Sequence, residues 1–226
     1  MQISVHDITK EYQKNRGLFS VSFTAEKGEC IAIVGHNGAG KSTLLKILSG
    51  WIIPDSGQAT VDGVGINNRL ALVRNVGFVP ETPSLFESFS VEYNLRLFAR
   101  LFQIPLSRVT DILNEFNLLP FRKNNIQALS KGIKQKVSIG RSLLPEPQVI
   151  LLDEPTAGLD FEATKEVYQL LTNSNAAGKT VLFTSHRPGE IRTLASRIIV
   201  LHQGKIVFDG MPAQYFQSQV HKELYV

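Results

Sequence analysis

The chain has a single cysteine, Cys30. No internal disulfide is open to it, which fits a reducing compartment. No stretch approaches the roughly 18 consecutive apolar residues of a membrane-spanning helix. The first residues, MQISVHDITKEYQK, carry Asp7, Lys10 and Glu11 around no apolar centre, so a signal peptide is not expected there. There is no run of five like charges and no nucleic-acid-binding module. The net charge of +4, from 24 basic and 20 acidic residues, is mild. It suits a polyanionic ligand or an anionic surface, whereas a dedicated nucleic-acid binder shows a basic stripe; no nucleic acid is expected as a partner. Internal repeats and low-complexity segments are lacking. His6, His36, His202 and His221 have no metal-ligand spacing, so zinc is not expected. What is present is ordinary: 226 residues, 43% hydrophobic and 19% charged, enough for one substantial core.

Periodicity supplies the organisation. Phe19, Val21, Phe23 and Ala25 alternate with Ser20, Ser22 and Thr24, the period of a half-buried strand. Cys30 to Val34 is a continuous apolar run ending in glycines, as in a strand buried on both faces of a parallel sheet. A helix follows, with Leu44, Leu45, Ile47 and Leu48 on its buried side and Gly50 near its end. Pro54-Asp55-Ser56-Gly57 reads as a turn. Val91, Leu95, Phe98 and Phe102 fall at helical spacing, as do Val109, Ile112, Leu113 and Phe116, with Ser90 and Ser107 as expected N-caps. This predicts a helical insert over about 88–145. Beyond it come a strand (149–152), a helix (161–171), a strand (180–184) and a hairpin through His202-Gln203-Gly204-Lys205. The whole predicts one α/β domain over 1–226, with a mainly parallel sheet core, an N-terminal antiparallel β region and an α-helical insert.

Gly35-His36-Asn37-Gly38-Ala39-Gly40-Lys41-Ser42 fits the phosphate-loop pattern G-x-x-x-x-G-K-[ST] at every fixed position. Glycines let backbone N–H groups turn inward around phosphate oxygens, and the next helix offers its N-terminus to the anion. Lys41 reaches the outer phosphates and Ser42 ligates Mg²⁺. Average residue frequencies put a chance match in such a chain on the order of 1%, and the strand and helix flanks reduce it further. The apolar stretch Val149 to Leu152 ends in Asp153 and Glu154. A strand of this kind delivers an Asp to Mg²⁺ beside a phosphate loop, and the following Glu can hold an attacking water and take its proton.

The order and spacing of further motifs resemble the ATP-binding subunits of ABC transporters, from Tyr12 to at least the hairpin near Gly204. Leu129-Ser130-Lys131-Gly132-Ile133 resembles the family's signature sequence, Ala157-Gly158-Leu159-Asp160 its D-loop, and His186 its switch histidine. Tyr12 resembles the aromatic that stacks on adenine. The resemblance implies a P-loop NTPase fold and hydrolysis of ATP with Mg²⁺, Glu154 and His186 being catalytic. ATP is held by Tyr12 and by Gly35 to Ser42 with Thr43. Ser130, Lys131, Gly132 and Asp160 act on it from a second subunit, a copy or a homologous ATPase paired head to tail. Ser42, Glu81 and Asp153 are the implied Mg²⁺ ligands. From the residues alone, Ser130 reads first as the cap of a core helix.

Two positions depart from the family pattern. Lys131-Gly132-Ile133 stands where Gly-Gly-Gln is usual, and Glu81 stands where a Gln usually ligates the metal. Both resemble an exporter branch whose partners are compact six-helix membrane subunits. A multi-helix membrane partner is implied, with the chain cytoplasmic and peripheral on the inner face of the cell membrane. Leu85, Phe86 and Phe89 form either ordinary packing or a socket for that partner. A soluble ATPase of the iron–sulfur assembly type stays open as an alternative. Cys30 is expected to fill the strand core, Trp51 has no assigned role, and the tail with Tyr215, Phe216 and Leu224-Tyr225-Val226 is expected to be too short for a regulatory domain.

Overall fold

A computed structural model describes residues 1–13 and 16–224; Tyr225 and Val226 lie outside the described residues. The chain opens with two antiparallel strands, β1 (Ile3–Gln13) and β2 (Arg16–Ala25). The expected alternation in β2 holds for Val21, Phe23 and Ala25, which are buried, and then slips. Ser20 adopts a left-handed φ of 49° and the register with β1 shifts around it. A bulge of this kind turns the next side chain to the other face. Leu18 therefore takes the inward place and Phe19 is only half-buried.

The next strand, β3 (Cys30–Val34), is buried at every residue. It runs into the phosphate loop and helix α1 (Lys41–Leu48). Gly50 ends that helix with φ 74°. The Gly50 N–H donates to Ile47 O at 2.9 Å and the Trp51 N–H to Lys46 O at 2.8 Å, the crossed pair that closes a helix through a left-handed glycine. Trp51 is exposed and meets the edge of Phe78 at 5.1 Å between ring centres. Two strands, β4 (Ser56–Val61) and β5 (Val64–Gly65), complete a four-stranded antiparallel sheet in the order β2-β1-β4-β5.

A short helix, α2 (Arg69–Asn75), leads into β6 (Val76–Val79). Three helices follow: α3 (Val91–Leu101), α4 (Ser107–Glu115) and α5 (Lys131–Ser142). Ser90 caps α3 as expected, its hydroxyl accepting the Tyr93 N–H at 3.1 Å. Ser107 does not cap α4, because Leu106 is already helical at φ −65°, ψ −18° and takes the cap position itself. The alternation then resumes with β7 (Val149–Leu152), α6 (Phe161–Ala176), β8 (Thr180–Thr184), α7 (Pro188–Leu194), β9 (Arg197–His202), β10 (Lys205–Gly210), α8 (Pro212–Gln217) and α9 (Gln219–Leu224). The second sheet has the order β10-β9-β3-β8-β7-β6, with only the β9–β10 hairpin antiparallel.

This sheet separates two cores, which explains the unbroken apolar run of β3. Ile31 and Ile33 face a core shared with Leu44, Leu45, Ile47 and Leu48 of α1 and with the four-stranded sheet. Cys30, Ala32 and Val34 face a core shared with residues of α3 to α7. Each fully buried Leu or Ile contributes about 1.5–3 kcal/mol, so four such residues pin α1 and the loop before it to the sheet. Burial pushes the Cys30 thiol up to about 12, and a thiol that is not ionised is a poor nucleophile. Folded protein at pH 8 is therefore expected to leave a thiol-exchange reagent unreacted and to react through its one cysteine on unfolding in urea. Rapid labelling of the folded chain contradicts the placement.

Candidate active site

The loop from Gly35 to Gly40 joins β3 to α1 in a shape that only glycine allows at its ends. Gly35 has φ 153°, and a Cβ there would lie 2.2 Å from Leu201 O; Gly40 has φ 104°, and a Cβ there would lie 2.5 Å from Leu18 Cδ2. No side chain caps α1, and the N–H groups of a first turn have no intrahelical acceptor. An anion is the natural partner for them. Ala39 is buried under the loop, and its carbonyl accepts the Gly204 N–H at 3.2 Å. Lys41 is buried, and its Nζ donates to Gly35 O at 2.7 Å and His36 O at 3.2 Å. Desolvation lowers its pKa against the opposing charges of Glu154, Asp153 and Glu81.

The acidic side comes from the ends of β7 and β8. Asp153 extends the β6–β7 ladder, its N–H donating to Val79 O at 2.9 Å. The next residue, Glu154, breaks from the strand with a left-handed φ of 47°, a conformation costing a non-glycine residue about 1–3 kcal/mol. Its N–H is held by Thr184 Oγ1 at 2.8 Å, and the same hydroxyl donates to Asp153 Oδ1 at 2.8 Å. Burial pushes the Glu154 carboxyl up to about 7, with Lys41 opposing and Glu190, Asp153 and Glu81 adding to the rise.

His186 Nε2 lies 3.1 Å from Lys41 Nζ and 3.1 Å from Glu154 Oε1. Burial, Lys41 and His36 lower the ring's pKa, with Glu81 opposing, which favours the neutral ring. A neutral Nε2 that accepts from Lys41 cannot also donate to Glu154. Glu154 Oε1 accordingly has no hydrogen-bond partner although it is buried. The contact between them is close without being a hydrogen bond, and the orphaned oxygen is an acceptor ready for a water.

These groups line one cleft of about 680 Å³. Asn37, Gly38, Gly40, Lys41, Ser42 and Thr43 line it together with Glu81, Asp153, Glu154, His186 and Tyr12. Tyr12 is exposed, as a stacking platform must be. Two lining residues, Arg16 and Gly17, belong to no sequence motif, whereas Ala157 opens the stretch that resembles the D-loop. Ser42, Glu81 and Asp153 all present oxygen to the cleft. Among the described residues no group of three or more His, Cys, Asp and Glu side chains could hold a metal ion. A hydroxyl and one or two carboxylates, completed by substrate phosphate, is the donor set that Mg²⁺ takes, so the residues fit that ion.

Ser130, Lys131, Gly132 and Asp160 do not line this cleft. Ser130 caps α5, its hydroxyl accepting the Ile133 N–H at 3.3 Å, and Asp160 caps α6, accepting the Ala163 N–H at 2.8 Å. A Cβ on Gly132 would come within 2.7 Å of Ala163 Cβ, so glycine there brings the starts of α5 and α6 together. The Lys131 ammonium lies over Gly158, 2.6 Å from where a Cβ would stand. The two helix starts thus form a patch of their own.

A phosphate loop between a buried parallel strand and a helix, faced by an acidic strand end, defines a P-loop ATPase. The sequence pattern of the ABC transporter family matches residues 18–157. The chain is 31% identical to the ABC transporter ATP-binding protein NatA of Bacillus subtilis, covering 98% of this chain and 94% of that one. It is 34% identical to the Nod factor export ATP-binding protein I of Rhizobium meliloti, covering 96% of this chain and 67% of that one. Among solved structures, an ATP-binding subunit of an ABC transporter superposes with a TM-score of 0.88 at 28% identity, over 100% of this chain and 98% of that one. A dimeric ATP-binding cassette in a post-hydrolysis state with ADP and Pi gives 0.84 at 26% identity, over 93% and 98%. The chain belongs to the ABC transporter family, as one of its ATP-binding, ATP-hydrolysing subunits.

Thr184 emerges only in three dimensions, since in sequence it is simply the end of a buried strand. A Thr184→Val change keeps the shape and removes both of its bonds. Turnover of ATP is expected to fall about 10- to 100-fold, the usual effect of losing an outer partner of a metal site, with nucleotide affinity little changed. Unaltered turnover contradicts the assigned coupling.

Proposed function

We propose that this chain energises export of a substrate through a separate multi-helix membrane subunit, as one half of a head-to-tail pair of ATPase subunits. The observation that carries the pairing is the separation just described. The cleft holds a phosphate loop, a base and a histidine, while Ser130 to Gly132 and Asp160 stand away from it on the same chain. Capped helix starts facing outward are suited to close over a nucleotide held by a second copy. The export reading is supported by relatives named for export and resistance, including the linearmycin resistance ATP-binding protein LnrL of Bacillus subtilis at 30% identity, covering 92% of this chain and 68% of that one.

In this proposal Tyr12 stacks on the adenine and the loop from Gly35 to Ser42 with Thr43 wraps the phosphates. The Lys41 ammonium exchanges its bonds to Gly35 O and His36 O for phosphate oxygens. Glu154 Oε1 accepts a proton from the attacking water, and His186, freed from Lys41, donates to the γ-phosphate. Ser42, Asp153 and Glu81 would hold Mg²⁺, which when bound neutralises phosphate charge. The signature patch of the partner copy then shields the reacting phosphate from bulk water. The helical segment at about 88–145 moves with that patch as one unit inside a single domain, 1–226. Phe86 and Phe89 are about half exposed, and Phe89 stacks on Tyr93 at 4.4 Å between ring centres. This aromatic surface is the proposed socket for the membrane subunit, which places the chain at the inner face of the membrane.

Glu154→Gln is expected to retain ATP binding while losing about 10²–10⁴-fold in turnover. It is also expected to accumulate as an ATP-dependent dimer in gel filtration with Mg²⁺. A variant that hydrolyses ATP normally contradicts the base assignment, and a variant that binds ATP yet stays monomeric at high protein concentration contradicts the pairing.

A further inference from the structure

Glu190 lies in the first turn of α7 with only 2% of its surface exposed, and it does not line the cleft. Burying a carboxylate is costly unless its oxygens are bonded. Both are, and to different loops. Oε1 accepts from Thr156 Oγ1 at 3.0 Å and Oε2 from Ser185 Oγ at 2.5 Å. Thr156 and Ser185 are themselves buried. Thr156 follows Glu154 by two residues, and Ser185 directly precedes His186. The carboxylate of Glu190 therefore joins the loop that carries Glu154 to the loop that carries His186.

The surrounding bonds make this join stiff. Ser185 Oγ also accepts the Arg187 N–H at 3.0 Å, fixing the bend that presents His186 between them. The Ala157 N–H donates to Glu154 O at 3.1 Å and the Leu159 N–H to Thr156 O at 3.2 Å, so the other loop is a closed turn built around Thr156. Thr184 makes a separate stitch one residue upstream, on the metal side, through Asp153 and the Glu154 N–H. Among the described side-chain hydrogen bonds, the other tie between the two loops is the one on that side. Neither Thr156 nor Ser185 has another side-chain partner in the described hydrogen bonds that spans the two loops.

We infer that Glu190 is a positioning residue for ATP hydrolysis: it holds Glu154 and His186 in fixed relation so that both address the same phosphate. The inference rests on the reading of Glu154 as the base, and it adds a residue that lies outside the cleft lining. Positional errors of about 1 Å at a reacting group cost on the order of 10²-fold in rate, so the join matters for turnover more than for binding. ATP is held by the phosphate loop and Tyr12, which Glu190 does not touch.

The test is Glu190→Met, which keeps length and volume but replaces two strong acceptor oxygens by one weakly accepting sulfur. Its kcat is expected to fall about 10- to 100-fold. The KM for ATP, and the affinity for a fluorescent ATP analogue, are expected to stay within about twofold, because uniform binding is untouched. Glu190→Gln, whose amide can bond to both hydroxyls, is expected to restore kcat to within about threefold of wild type. Should the Met variant not fold, Thr156→Val severs one arm of the same join and is read by the same split between kcat and KM. Turnover equal to wild type in folded Met or Val variants overturns the inference, as does a loss of ATP affinity in step with kcat, or a fall in thermal stability alone. A parallel Glu154→Gln sample separates the two readings. If it hydrolyses ATP, the base assignment has failed; if it is inactive while Glu190→Met is active, only the role of Glu190 has failed.

Discussion

The site is organised around the burial of Lys41. Its ammonium is out of water, opposed by Glu154, Asp153 and Glu81 and held by carbonyls of its own loop. Two basic side chains, Lys41 and Arg16, share the cleft with three acidic ones, Glu81, Asp153 and Glu154, so the acids offset the charge that attracts a nucleotide polyphosphate. A divalent cation arriving with the phosphates corrects that imbalance. Glu81, standing where the family resemblance leads one to expect an uncharged Gln, deepens the need. Burial, with the neighbouring acids adding to it, pushes the Glu154 carboxyl up to about 7, toward the range that suits a general base.

The fold makes this cluster by strand order. In the sequence β10-β9-β3-β8-β7-β6 the phosphate-loop strand sits beside β8, and β8 beside β7. All three run parallel, so their carboxyl ends open at one edge, the usual place for a ligand in such a sheet. Register does the rest: Leu152 pairs with Phe183, which sets Asp153 next to Thr184 and the following loops side by side.

Local features were legible in the chain and non-local ones were not. The loop Gly35 to Ser42 and the strand ending in Asp153-Glu154 are contiguous patterns, and the helices of 88–145 show in their apolar period. The swap of Leu18 for Phe19 was hidden because a bulge at Ser20 leaves no mark in hydrophobicity. Helix α6 runs to Ala176, beyond the expected Leu171, because its last turn is polar; Asn175 holds that end by donating to Gly28 O at 2.8 Å and Lys179 O at 3.0 Å. Thr156, Thr184, Ser185 and Glu190 matter only through strand adjacency. Arg16 and Gly17 reach the cleft because β2 passes over the loop, which no motif encodes.

Whether the nucleotide cleft and the Ser130 patch, which does not line it, meet within one chain or between two copies is a direct question. Mixing Lys41→Ala protein with Ser130→Phe protein answers it, since each is defective in a different half. If the halves meet between copies, each mixed dimer holds one intact site, and an equal mixture recovers about a quarter of wild-type sites by symmetry. Hydrolysis that returns on mixing is the predicted result. A mixture as inactive as its components, with dimers shown to have formed, contradicts a site shared between two copies.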